Sequence, residues 1–274
     1  MSADIRVIDV TTGEDHSEEY SLRKRSQDEG YIRSLEKERY RTETADRHWV
    51  ASYHDPIEEI SKELSLTETG ALIKLIPYMR FRAEGKLIKD GKPLRQADIQ
   101  RIFKRGNKAT IRILKELSDK GVISILKEGR SNVFYISARF HEKGNVDTTE
   151  RFTKLYQVRT REITDRLPLH EAGILYKILP YFHYSRYYLV RNPDEPDKDK
   201  LDYIGRDELA ELIGMKRQDL SPAVNKLRGM GALMSTNSGR SVRYLVHPDV
   251  MFRQSVETDW TDSVRELFAA HAKK

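Results

Sequence analysis

Apolar residues recur at helical spacing in short stretches along this chain, and glycine-broken β-prone runs follow them. Leu72, Leu75 and Ile76 keep a helical period, as do Leu175, Ile178 and Leu179, and Pro77 and Pro180 should stop both helices. From Gln100 to Ile136 a basic helix, with apolar residues at Ile111, Leu114 and Leu117, leads through Gly121 into a short apolar run. A turn at Gly129-Arg130-Ser131 then precedes a second β-prone run, Val133 to Ile136. The segment GRDELAELIGMKRQDLSPAVNKLRGMGAL predicts a helix, a turn at Gly214-Met215-Lys216 and a second helix. Leu209, Leu212 and Ile213 are expected to pack there against Leu220, Val224 and Leu227.

These segments recur. Trp49, Tyr53, Ile60, Leu64, Leu66, Glu68, Gly70, Lys74, Pro77 and Tyr78 each have a counterpart 103 positions later, from Phe152 to Tyr181. Leu117, Gly121, Ile123, Gly129-Arg130-Ser131 and Ile136 have counterparts 110 positions later, among them Gly239-Arg240-Ser241 and, last, Val246. The seven extra residues fall in RNPDEPDKDKLDY, a proline- and aspartate-rich loop where insertions are tolerated. A shared period of this kind reads as an internal duplication. Helix, strand, basic turn, strand is also the order that ends a winged-helix domain. The expected fold is therefore mainly α with small β wings (α+β): two tandem winged helix-turn-helix domains. The expected boundaries are a polar arm or helix at 1–48, domain one at 49–140, a linker at 141–151, domain two at 152–255 and a C-terminal helix at 256–274. The second domain, cut near Thr149, is expected to fold alone. The terminal helix carries Val256, Trp260, Val264 and Leu267-Phe268 in one stripe, which would cap the second core or pair with another copy.

Charge narrows the function. Between Arg101 and Arg130 nine Lys/Arg stand against three acids, an excess equal to the net charge of +6 of all 274 residues. Such a concentration calls for a polyanion, and duplex DNA fits a helix-and-wing surface. In the first copy the candidate DNA-contacting residues are Arg105, Asn107, Lys108, Thr110, Arg112 and Lys115 on the helix, with Lys127 and Arg130 on the wing. In the second copy they are Lys216, Arg217, Gln218, Ser221, Asn225 and Arg228, with Arg240 and Arg243. Arg, Asn, Gln and Ser can read base edges or hold phosphate, and an arginine at a hairpin tip can reach a phosphate or a narrow minor groove.

Other chemistries find no support. Cys is absent, which removes disulfides and thiolate sites and suits a cytoplasmic protein. The eight His stand singly, without metal-ligand spacing, so neither metal, cofactor nor enzymatic activity is expected. Asp194, Glu195, Asp197 and Asp199 lie in a proline-broken loop, where solvated carboxylates are expected. The aromatic run His183 to Tyr188 suits either core packing or base stacking. No apolar run approaches membrane-spanning length.

LAELIGMKRQDLSPAVNKLRGMGAL, followed by a GRS turn and YLVHP, resembles the winged helices of bacterial regulators, including the multiple-antibiotic-resistance regulator type. FTKLY…LPLHEAGILYKILPY…NP…LAELIG resembles replication proteins of Firmicute plasmids and related phage DNA-binding proteins. Copy one departs from the pattern, with Lys104-Arg105-Gly106 in place of the Ile213-Gly214 turn. The resemblance implies that two winged helices grip successive grooves of one origin repeat. A replication initiator is thus expected, with a transcription regulator using the same surface as the alternative and a partner-binding module as a third reading. The expected partners are double-stranded DNA and, in one arrangement, a second copy of the chain.

Overall fold

The computed structural model describes residues 8–15, 48–238 and 241–272. Residues 1–46 and 47–274 are separate units. Of the first, residues 8–15 form a small turn: Ile8 bridges Asp15, and the Asp9 carboxylate accepts from the backbone N–H groups of Thr11 and Thr12. The rest of the polar arm or helix expected at 1–48 lies, up to residue 47, outside the described residues.

In the second unit β1 (Trp49–Tyr53) runs directly into α1 (His54–Glu63), followed by α2 (Leu66–Leu75). Ser65 and Glu68 start α2 with reciprocal capping, each side chain accepting from the other residue's backbone N–H. A 3-10 turn over Ile76–Tyr78, built on Pro77, ends it. Next come the short strands β2 (Ile88–Lys89) and β3 (Lys92–Pro93), α3 (Gln96–Phe103), α4 (Asn107–Asp119), β4 (Ile123–Glu128), β5 (Ser131–Ile136) and β6 (His141–Glu142). The remaining chain forms β7 (Phe152–Tyr156), α5 (Gln157–Thr164), α6 (Leu169–Lys177), α7 (Arg206–Ile213), α8 (Arg217–Gly229), β8 (Leu233–Ser238), β9 (Ser241–Val246), β10 (Met251–Phe252) and α9 (Asp259–Ala272).

The expected mainly α protein of two tandem winged-helix domains is not what forms. The fold is mixed α/β, with nine α-helices and ten strands among the described residues, and strand takes up 22% against 44% helix. That is more β than two wings supply. A four-stranded antiparallel sheet in the order β10-β7-β1-β6 combines strands from both halves of the chain. Its central pair, β1 with β7, is in register from Trp49–Tyr156 to Tyr53–Phe152.

Beside this sheet α2 and α6 touch backbone to backbone. A Cβ on Gly70 would stand 1.7 Å from the Leu169 carbonyl oxygen, and one on Gly173 would stand 2.2 Å from that of Leu66. Segments matched in sequence at a spacing of 103 therefore meet each other in space. What the spacing suggested as separate cores is one core, and the structure shows no tandem array of domains. Cutting near Thr149 would strip β7 of its β1 partner and α6 of the face it packs on.

The stretch expected as a linker begins in this core, although its residues 147–151 are exposed. His141 in β6 is fully buried, bridging the Ser52 hydroxyl through Nδ1 and the Tyr176 hydroxyl through Nε2, each at 3.0 Å. His54 is buried likewise, with Nε2 2.9 Å from the Thr153 hydroxyl. Burial pushes both imidazoles down to about 3 from the ordinary 6.5. In the unfolded chain they protonate near 6.5, so the stability that the neutral rings contribute is complete above that pH and is lost as pH falls toward 3. Urea unfolding at pH 7, 5.5 and 4 should show stability dropping by up to about 2.7 kcal/mol per pH unit from the two rings together. A flat profile across that range would contradict this account of the core.

The C-terminal helix docks on its own chain. Val264 and Phe268 are buried, the Phe268 ring lies 4.7 Å from that of His247, and the Arg265 guanidinium pairs with Asp249, Glu257 and Asp262. In the aromatic run His183 to Tyr188, His183 and Tyr187 are buried, Tyr187 packs on Phe182 and Phe252, and the other four residues are half-buried.

Candidate nucleic-acid interface

Two helix–helix–hairpin units project from the shared core: α3, α4 and β4–β5, then α7, α8 and β8–β9. In each, a left-handed residue makes the bend between the helices, Lys104 at φ +51° and Gly214 at φ +68°. Glycine adopts this conformation freely, whereas lysine does so at a cost of about 1 kcal/mol. Lys104 is anchored there by its ammonium, which donates to the Asp165 carbonyl at 2.7 Å. Nearby, the ammonium of buried Lys74 donates to the Thr164 carbonyl, so two lysines meet the carbonyl end of α5. The departure of Lys104-Arg105-Gly106 from the glycine turn thus leaves the bend intact.

The inner face of α4 differs from the expected one. Ile113, Leu114, Leu117 and Thr110 are buried, while Ile111 is 46% exposed. Thr110, expected on the outer face, is fully covered and therefore leaves the set of candidate DNA contacts. Asn107, Lys108, Arg112 and Lys115 are exposed along the outer face, and Arg105 is exposed just before it. The Asn107 carbonyl oxygen accepts from the side-chain amides of Gln96 at 2.5 Å and Gln100 at 2.7 Å.

Lys127 and Arg130 are exposed at the hairpin tip. Together with Arg105, Lys108, Arg112 and Lys115 they make six exposed cations whose side chains form no ion pair or hydrogen bond to another described residue. The one acid of this hairpin, Glu128, is neutralised by Lys86 at 2.6 Å, with the Tyr135 hydroxyl also donating to it. The lysine contact holds the Glu128 carboxyl below the usual carboxylate range. No local pattern points to Lys86, which lies 42 residues before its partner, on a bridge to β5.

The second unit is electrostatically tied down. Arg217 pairs with Asp207 at 2.7 Å, and Arg206 donates to the Ser221 hydroxyl at 2.5 Å. The Arg243 guanidinium lies 3.8 Å from the centroid of the Tyr203 ring instead of standing free at the hairpin. A cleft of about 590 Å³ lined by Tyr203, Arg206, Asp207, Arg217 and Arg243 opens where α7, α8 and β9 meet. Lys216, Gln218 and Asn225 are exposed and Arg228 is half-buried, while Arg240 lies outside the described residues. The sequence hid these pairings because Asp207 and Tyr203 come from a different element than the arginines they hold.

Among the described residues no cluster of His, Asp or Glu could hold a metal ion, and no helix is long and apolar enough to cross a membrane. In the loop at 194–199, Asp194 is held by Arg151 at 3.1 Å and Arg253 at 2.5 Å. Comparison with family models, with curated proteins and with solved structures gives no match.

Proposed function

We propose that the chain binds duplex DNA, with α4 and the β4–β5 hairpin as its principal electrostatic grip, and that it acts as an origin-binding replication initiator. The observation that carries the binding is the set of six exposed cations, on one helix, the residue before it and one hairpin tip, that have no partner among the described residues. The two acids of α4, Glu116 and Asp119, lie in its C-terminal half, away from Arg105 and Lys108, and the hairpin's one acid already has its own lysine. Cations left free in this way are available to release counterions from a phosphate backbone. The second unit supports a different role. Arg217 and Arg206 are pre-positioned by Asp207 and Ser221, which lowers the entropy lost when a guanidinium docks on a base edge or phosphate. The initiator role rests on the resemblance of the LPLHEAGILYKILPY and LAELIG segments to plasmid and phage replication proteins.

Binding of a labelled duplex should weaken by at least ~10³-fold between 50 and 200 mM salt if six or more phosphates are neutralised. Affinity that stays constant over this interval would exclude the phosphate grip. Mapping the bound sites in the host then tests the role: sites clustered in a replication origin support an initiator, and sites in promoters replace it with a regulator.

A further inference from the structure

We propose that Ile111 is a base-reading residue that recognises the 5-methyl group of a thymine in the major groove, an inference that rests on duplex binding through α4. Ile111 is 46% exposed, although the helix has a complete apolar face without it in Ile113, Leu114 and Leu117. Its neighbours one turn away and alongside are Asn107, Lys108, Arg112 and Lys115, all exposed. A large apolar side chain with nearly half of its surface open is thereby ringed by three cations and an amide. Once the surrounding cations lie against phosphates, the centre of this face is pressed toward the base edges. The thymine methyl is the apolar group the major groove offers there, and burying an isoleucine against it removes apolar surface of both partners from water.

The position matters as well as the residue type. Ile111 is the fifth residue of α4, in the N-terminal half where groove-inserted helices contact bases. The residue 110 positions later is Ser221, half-buried and hydrogen-bonded by Arg206, so the two units present different chemistry at this point. The six exposed large hydrophobic residues of the described chain include two from the basic unit, Ile111 and Leu126. Leu126 lies on β4 in the hairpin, paired across the strands with Val133, and serves as the internal comparison.

The test begins by enriching a duplex from a random pool with the full chain. Each thymine of that duplex is then replaced singly by deoxyuridine, which keeps the pairing and lacks the methyl. Wild type should lose about three- to tenfold in affinity at one or two positions. Ile111→Ala should lose a similar factor on the thymine duplex and nothing further on the deoxyuridine duplex, with an unchanged melting temperature because the side chain is exposed. Wild type indifferent to every replacement overturns the inference, as does Ile111→Ala retaining the full deoxyuridine penalty. A penalty abolished by Leu126→Ala instead overturns it in favour of the hairpin. A chain that enriches no duplex removes both duplex binding and this inference, whereas a chain that binds duplex but ignores the methyl removes only the second.

Discussion

Gly70→Ala and Gly173→Ala should each destabilise the whole of residues 47–274 by about 3 kcal/mol or more, a large share of the stability of an ordinary domain. The added methyl of Gly70→Ala would sit 1.7 Å from the Leu169 carbonyl oxygen, and that of Gly173→Ala 2.2 Å from that of Leu66. Both obstacles are backbone, so relief requires α2 and α6 to move apart, which strips the shared core of its tightest contact. Gly229→Ala is the control. Nothing lies within 4 Å of its new methyl, and alanine favours the last turn of α8, so stability should hold or rise by up to ~1 kcal/mol. Because one core serves both halves, amide exchange in α4 and in α8 should rise together in the two damaging variants. Exchange confined to one half, or wild-type melting of Gly70→Ala, would show that the halves are independent after all.

Replacing Lys108, Arg112, Lys115 and Arg130 together with alanine should lower duplex affinity by a hundredfold or more at low salt. It should also flatten the log–log salt slope by about three to four, as expected when some four phosphate contacts vanish. All four side chains are exposed and without a partner among the described residues, so the melting temperature should not change. Arg217→Ala or Asn225→Ala in the second unit should act differently, relaxing base preference on the best site with a smaller change in slope. Should the fourfold variant keep the wild-type slope, the grip lies elsewhere on the molecule.

Much of this architecture was legible in the sequence, and the rest was hidden for definable reasons. Pro77 and Pro180 marked the ends of α2 and α6, and the glycines at 121 and 214 marked turns, because backbone restrictions act locally. Ile111, Leu114 and Leu117 fit a helical stripe as well as Ile113, Leu114 and Leu117 do. The choice between them falls to the elements packed against α4, and it moved Thr110 inward and Ile111 outward. Gly70 and Gly173 were readable as matching marks of a repeat, yet their use is mutual contact, which no spacing within one segment reveals. His141 sat in a stretch too polar to suggest a core, and Ser52 and Tyr176 are what satisfy its ring there. The candidate interface was legible as a local excess of charge. Which arginines were free depended on Asp207 and Tyr203, and on the lysine that occupies Glu128, all supplied by tertiary packing.

Lysine acetylation of the full chain, with and without saturating duplex at low salt, tests the placement of the grip most directly. Lys108, Lys115 and Lys127 should be strongly protected by DNA, while Lys62 on α1 and Lys198 in the loop before α7, both exposed, should react at unchanged rates. Protection of Lys62 or Lys198 with the α4 lysines still reactive would contradict the account.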